Sequence, residues 1–347
     1  MIVDFDRRAV ILGAGAIAVG GASLAGVNAP SAYEDPDAMY AALRGQPRQV
    51  LEFAGGRINL VLADGAPGLA RAPVLSWVQT AAKAVTAYFG TYPVRDYGLL
   101  VIAEPGDRVG HATTYGYNGS ATRIYVGTGA DAAALAKDWV LVHEMIHTAL
   151  PDLPRRALWL QEGNATYVEP IARAMIGQLS AAEVWRQSLV GMPRGRPGLD
   201  PAGMDGTQTW GRLYWGGATF WLLAEIAIFR GSNGARSLRD ALRHINHVSG
   251  GDKVTWTPEQ LMAIGDEASG VTSLSQLYAQ FANSRVDPDL DALFGELGIG
   301  PGENGAVQFN DRAPLAALRK RITAEAGRST GSPARSSRSS ANGRRAW

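Results

Sequence analysis

The chain has no cysteine among its 347 residues. That excludes a disulfide framework, a thiolate-held zinc, an iron–sulfur cluster and a cysteine nucleophile, so any metal must be held by His, Asp or Glu. Charge is also sparse: Asp, Glu, Lys and Arg make up 19% of the chain and balance to a formal +1. A total so close to zero argues against a polyanion-binding surface, and nucleic acid is not an expected partner. No internal repeat is present, which excludes solenoid and propeller architectures. What the chain does have is 46% hydrophobic residues, enough to build the core of one large or two ordinary domains.

The charges are unevenly placed. Near the start, Asp6-Arg7-Arg8 precedes an uncharged, Ala- and Gly-rich run that ends at Tyr33. Residues 1–32 resemble a twin-arginine export signal, which implies a periplasmic or extracellular protein. A retained N-terminal anchor is the alternative, since about 20 apolar residues span a bilayer; the membrane is otherwise not an expected partner. Within the run, Gly13-Ala14-Gly15-Ala16-Ile17-Ala18 fits a dinucleotide fingerprint. The second strand that fingerprint requires would fall near residues 28–36, which read as loop. At the other end, residues 326–347 carry five arginines and no acid, and without apolar periodicity they read as a basic, solvated tail beginning near residue 324. Taking those five charges from the total leaves residues 33–325 at −4.

Residues 50–62 read as two strands joined at Gly55-Gly56, and residues 74–89 as a helix ending at Gly90. Strands are expected at 97–103 and 123–127, the second preceded by a Gly- and Tyr-rich segment, 110–120. After Gly129 the signals are helical: 130–150, 158–177, 181–190, 214–230, 237–248, 258–264 and 274–284. Strands first and helices after give an α+β chain, with a sheet subdomain over 33–129 and a helical subdomain over 130–323.

His143-Glu144-Met145-Ile146-His147 is an H-E-x-x-H motif inside one helical segment. Positions four apart are separated by about 400° of rotation, so both imidazoles leave one face and can share a metal. Glu144 lies about 100° from His143 and about 60° from His147, beside the metal, where a general base for an activated water belongs. Trp139, Val140, Leu141, Val142, Met145 and Ile146 make the helix apolar nearly all round. Two histidines and a glutamate in such a setting need partners, and a metal supplies them. A third ligand is sought downstream, where Glu162 and Glu169 lie seven apart on one side of a second helix; helical phase alone does not separate them.

H-E-x-x-H followed by Leu158-Trp159-Leu160-Gln161-Glu162-Gly163-Asn164-Ala165-Thr166-Tyr167-Val168-Glu169 resembles the gluzincin metallopeptidases, the peptidase MA-like group that includes the M1 and M61 aminopeptidases. The resemblance implies a thermolysin-like catalytic unit with one zinc ion per chain on His143, His147 and Glu162, leaving Glu169 an outer or structural role. Tyr214, in Tyr214-Trp215-Gly216-Gly217-Ala218, matches the tyrosine that donates to the oxyanion in those families. The implied activity is hydrolysis of a peptide or protein substrate, with Glu144 as base and an edge strand near 123–127 holding the substrate backbone. Fourteen residues separate His147 from Glu162, so the connection through Pro151 and Pro154 must be tight. The G-x-M-E-N motif that holds a substrate's free amine in M1 enzymes is absent, so endo- and exopeptidase action both stay open. The rival expectation is an exported zinc protein that binds a peptide or partner without cleaving it. His244 and His247 read as surface histidines near a helix end, His111 as a residue of the substrate-edge loop, and Trp210, Trp215 and Trp221 as core. The oligomeric state is not legible in the chain.

Overall fold

The computed structural model describes residues 32–198 and 202–326. The export-signal reading, the Gly13–Ala18 fingerprint and the tail beyond residue 326 lie outside the described residues. Among the described residues, no helix is long and apolar enough to cross a membrane.

Helix α1 (Pro36–Gly45) opens the described chain, its N-terminus capped by the Asp35 carboxylate and started by Pro36. Both are standard helix-start signals, although the segment before it reads as loop. Strands β1 (Arg48–Phe53) and β2 (Gly56–Leu62) form the expected hairpin. Helix α2 (Arg71–Phe89) then crosses over, ending at Gly90 with φ of 89°. It leads to β3 (Asp96–Glu104), β4 (Val109–Tyr115) and β5 (Ala121–Gly127). The five strands lie in the order β1-β2-β3-β5-β4, with β2, β3 and β5 parallel and both outer strands antiparallel to their neighbours.

Two faces of this sheet are covered, which explains why β3 is a nearly continuous apolar run and why every residue of β5 is buried. Ile58, Leu99, Val101, Ile124 and Val126 face α2 and the helical half. Val61, Leu100, Ile102 and Tyr125 face Met39 and Tyr40 of α1. The order also corrects one expectation. β5 is enclosed between β3 and β4, so the sheet edge on that side is β4, within the segment read as a loop.

The helix expected over 130–150 is two helices, α3 (Ala132–Lys137) and α4 (Val140–His147). Asp138 makes the break: its carboxylate accepts from the backbone N–H of Val140 at 3.0 Å and of Leu141 at 3.1 Å, capping α4. The rest is α5 (Leu158–Met175), α6 (Ala181–Gly191), α7 (Gly217–Gly231), α8 (Leu238–Ser249), α9 (Pro258–Ser269), α10 (Ser273–Asn283) and α11 (Leu290–Leu297). A short hairpin, β6 (Ile299–Pro301) with β7 (Val307–Phe309), and α12 (Ala316–Ile322) complete it.

Candidate metal centre and active site

Helix α4 is buried along almost its whole length because it is apolar on every side. His143 and His147 leave it on one face, with rings 4.9 Å apart and edge-on at 81°. One ligand atom from each of His143, Glu144 and His147 lies within 4.8 Å of the others.

Glu162 comes to this face from α5. The connection is short and pinned: the Asp152 N–H donates to Val254 O and the Trp256 N–H to Asp152 O, and a 3-10 turn at Arg155–Ala157 starts α5. Glu162 Oε2 stands 3.2 Å from His143 Nε2 and 3.6 Å from His147 Nε2. Tetrahedral zinc with bonds of about 2.0–2.1 Å requires ligand atoms roughly 3.3 Å apart, so both Glu162 contacts match the spacing of ligands on one ion, and His₂Glu is a catalytic zinc set that keeps an open position. Burial acts to raise the Glu162 carboxyl, but the His147 and His143 rings outweigh it and hold the group well below the usual carboxylate range. It is a ready anionic ligand.

The neighbouring residue explains how Tyr214 reaches the same place. A Cβ on Gly163 would lie 2.3 Å from the Gly217 Cα, and one on Gly217 would lie 2.2 Å from the Trp159 carbonyl oxygen. Only two glycines let α5 and α7 cross backbone to backbone here. Just before the crossing, residues Arg212–Gly216 form a π-helical turn, a geometry common at functional sites. Tyr214 projects from it, stacks on the His143 ring at 5.7 Å and hydrogen bonds to Glu162. Burial, with the charges of Glu162 and Glu144, pushes its hydroxyl well above the ordinary tyrosine range, so it stays a donor.

Glu144 also reaches the sheet. Its Oε2 accepts from Thr114 Oγ1 at 2.7 Å. Thr114 faces Thr122 across the β4–β5 ladder, with their hydroxyls 2.7 Å apart, and Tyr97 of β3 donates to Thr122 Oγ1 at 2.6 Å. Three strands thus supply one buried row of hydroxyls running Tyr97, Thr122, Thr114, Glu144. None of the three hydroxyl residues was singled out in the sequence. The run Ala112-Thr113-Thr114-Tyr115 has β-propensity, but Gly110, Gly116 and Gly119 around it mask the strand.

A cleft of about 610 Å³ opens beside His143 and Tyr214. Trp210 and Trp215 line it; Trp210 is exposed and stacks on Tyr214 at 5.4 Å, which corrects its assignment to the core, whereas Trp215 also packs against the core as expected. Trp221 is in the core, its Nε1 donating to the Leu160 carbonyl at 2.9 Å. Glu169 is not brought to the metal ligands: it is buried in a 2.8 Å ion pair with Arg173 on the cleft wall, and burial, only partly offset by that arginine, pushes its carboxyl up to about 7. His111 sits on β4, stacked on Tyr125 and 3.2 Å from Glu34 Oε1, away from the centre. His244 and His247 lie on α8; His247 is exposed in its last turn, and His244 Nε2 is 3.9 Å from Glu267 Oε2.

No family model matches the chain, and no curated protein sequence matches it. Solved structures do. An aminopeptidase N family protein from Idiomarina loihiensis is 13% identical over 77% of this chain and 53% of its own, with a TM-score of 0.55. An M1 zinc metallopeptidase from Deinococcus radiodurans is 16% identical over 70% of this chain and 53% of its own, at 0.44. Legionella pneumophila aminopeptidase A, in complex with aspartic acid, is 14% identical over 70% and 28%, at 0.42. The chain therefore spans about half the length of these proteins or less. The Idiomarina likeness shows the fold: an α+β unit like part of that aminopeptidase N family protein, with a small mixed sheet followed by a mainly helical half.

Proposed function

We propose that the chain is a zinc-dependent peptide hydrolase, with one zinc ion per chain held by His143, His147 and Glu162, Glu144 as general base, and a peptide or protein as substrate. One observation carries this reading: Glu162 Oε2 meets both histidine Nε2 atoms at the spacing of a shared ion, with the Glu144 carboxylate alongside. Zinc in such a site supplies a Lewis acid and a water acidified to a pKa of about 7.

The residues divide the remaining work. Thr114 fixes one Glu144 oxygen, leaving the other to take the proton of the attacking water and return it to the leaving amine. Tyr214, protonated and stacked against His143, donates to the oxyanion that develops on the scissile carbonyl. The free edge of β4 pairs with substrate backbone in extended form. The similarity of residues 1–32 to an export signal supports action in the periplasm or outside the cell.

Glu144→Gln tests the assignment. Zinc content should be unchanged while cleavage of a mixed peptide library falls by on the order of 10³-fold or more. Undiminished cleavage by that variant would sink the reading. Bound zinc with no cleavage by the wild-type protein would instead favour a zinc-bearing protein that binds peptides without hydrolysing them.

A further inference from the structure

The cleft beside the metal centre contains chemistry that hydrolysis alone does not require. Glu162, Thr166, Glu169 and Arg173 follow one another on α5 at intervals of four, three and four, so they form a single stripe along the helix. The stripe starts at the metal ligand and runs on into the cleft wall, which makes the cleft continuous with the reacting centre.

Both acids in the cleft are already occupied. Glu169 is held by Arg173 in a buried pair, and Glu183 by Arg186 through two contacts of 2.7 Å. The remaining charged side chains that line it, Lys137 and Arg194, are exposed and form no ion pair among the described residues. The lining therefore has an excess of two positive charges. Two further groups point to the same deficiency. Thr166 Oγ1 and Trp215 Nε1, both on residues lining the cleft, are buried without a hydrogen-bond partner. An indole N–H can only donate, and a buried donor left unpaired is costly. Around these groups Trp139, Val190 and Trp210 expose apolar surface, three of the eight large hydrophobic side chains that do so among the described residues. Exposed apolar surface gathered at a cleft with convergent donors is what a ligand site presents.

We propose that this cleft receives a substrate residue flanking the scissile bond and selects an acidic one, glutamate or aspartate. Its stem lies against the tryptophan rings, its carboxylate answers the field of Lys137 and Arg194, and a shift of the Trp215 ring on binding brings it the enclosed indole N–H and Thr166 hydroxyl. The proposal rests on the peptide-hydrolase reading for the identity of the guest, and its test separates the two.

Peptides that differ only in carrying Glu, Gln, Phe or Lys at each position around the cleaved bond are compared on zinc-loaded wild type, Trp215→Phe and the double variant Lys137→Glu/Arg194→Glu. At one flanking position, wild type should prefer Glu over Gln by on the order of tenfold in kcat/KM. The ratio should fall in Trp215→Phe, which keeps the ring packing but loses the donor, and should collapse or invert in favour of Lys in the double variant. Equal cleavage of Glu and Gln peptides, or a preference for Phe or Lys in wild type, overturns the acidic pocket and leaves the hydrolase standing. If no peptide is cleaved, the hydrolase reading fails. The pocket is then decided by binding of the same peptides, read from tryptophan fluorescence: Glu-selective binding lost in the double variant upholds it, and unselective or absent binding overturns it.

Discussion

Glu162 and Glu169 stand on one side of α5, seven residues apart, and both are buried. Each meets basic side chains besides burial, and the outcome is opposite. Helix α4 brings two imidazoles to Glu162, and together they hold its carboxyl low against the pull of burial. Glu169 has one guanidinium, four residues on in its own helix, and there burial wins, leaving the carboxyl at about 7. The proposed ligand and the wall residue are thus distinguished by what a neighbouring helix delivers, not by anything in the local pattern of α5. A like contrast separates the two sides of the centre. The sheet side holds Glu144 through a row of neutral hydroxyls, whereas the helical side lines the cleft with charges, indoles and the Tyr214 side chain.

The contrast between the two glutamates is broken most directly by exchanging their chemistry. Glu162→Gln should lose zinc measured by elemental analysis, with turnover falling by more than the roughly 10–100-fold that outer-shell partners of a metal carry. Glu169→Gln should keep its zinc. Metal lost from the second variant and retained in the first would reverse the assignment of ligand and wall. The hydroxyl row gives a smaller effect. Thr114→Val removes a hydrogen bond to a charged group, so kcat should drop by ~10–100-fold with KM little changed. Thr114→Ser, which restores the hydroxyl, should recover most of the loss. A change confined to KM would show that Thr114 shapes the substrate edge and does not position the base.

The two histidines, Glu144 and their shared helix were legible in the sequence because a four-residue spacing on an apolar helix constrains the geometry by itself. Glu162 needed the resemblance, since its rival lies at the same helical phase. The hairpin 48–62, helix α2 and strand β3 were legible from alternation, apolar spacing and a terminal glycine. Less could be read where long-range pairing decides. Val109–Tyr115 lies between glycines and becomes a strand only because Ala121–Gly127 pairs with it, and that pairing moves the substrate edge from β5 to β4. The division of 130–150 into two helices depends on Asp138, whose carboxylate caps α4 and accepts from Trp77 Nε1 at 3.0 Å across 61 residues. Trp210 looks like a core residue by composition but is exposed at the cleft two residues before the π turn, while Trp215, inside the turn, lines the cleft and packs on the core.

Glu225 sharpens the comparison from a place remote from the chemistry. It is buried on α7, accepts from the Leu238 N–H at 3.2 Å, and has the charges of Arg239 and Arg321 nearby. Burial outweighs all three and pushes its carboxyl up to about 7 from an ordinary value of 4.5. Between those two values the folded protein keeps a proton that the unfolded chain releases. The stability associated with that proton is fully present below the lower value and is lost as pH rises through the upper one. Glu225→Gln keeps an acceptor for Leu238 and cannot ionise. The variant should therefore gain on wild type as pH is raised from 5 to 8, by on the order of 2 kcal/mol in unfolding free energy. Parallel denaturant titrations of the two proteins at each pH measure that difference. A gap that stays constant over this range would mean that the arginines, and not burial, govern Glu225, which would place it with Glu162 and not with Glu169.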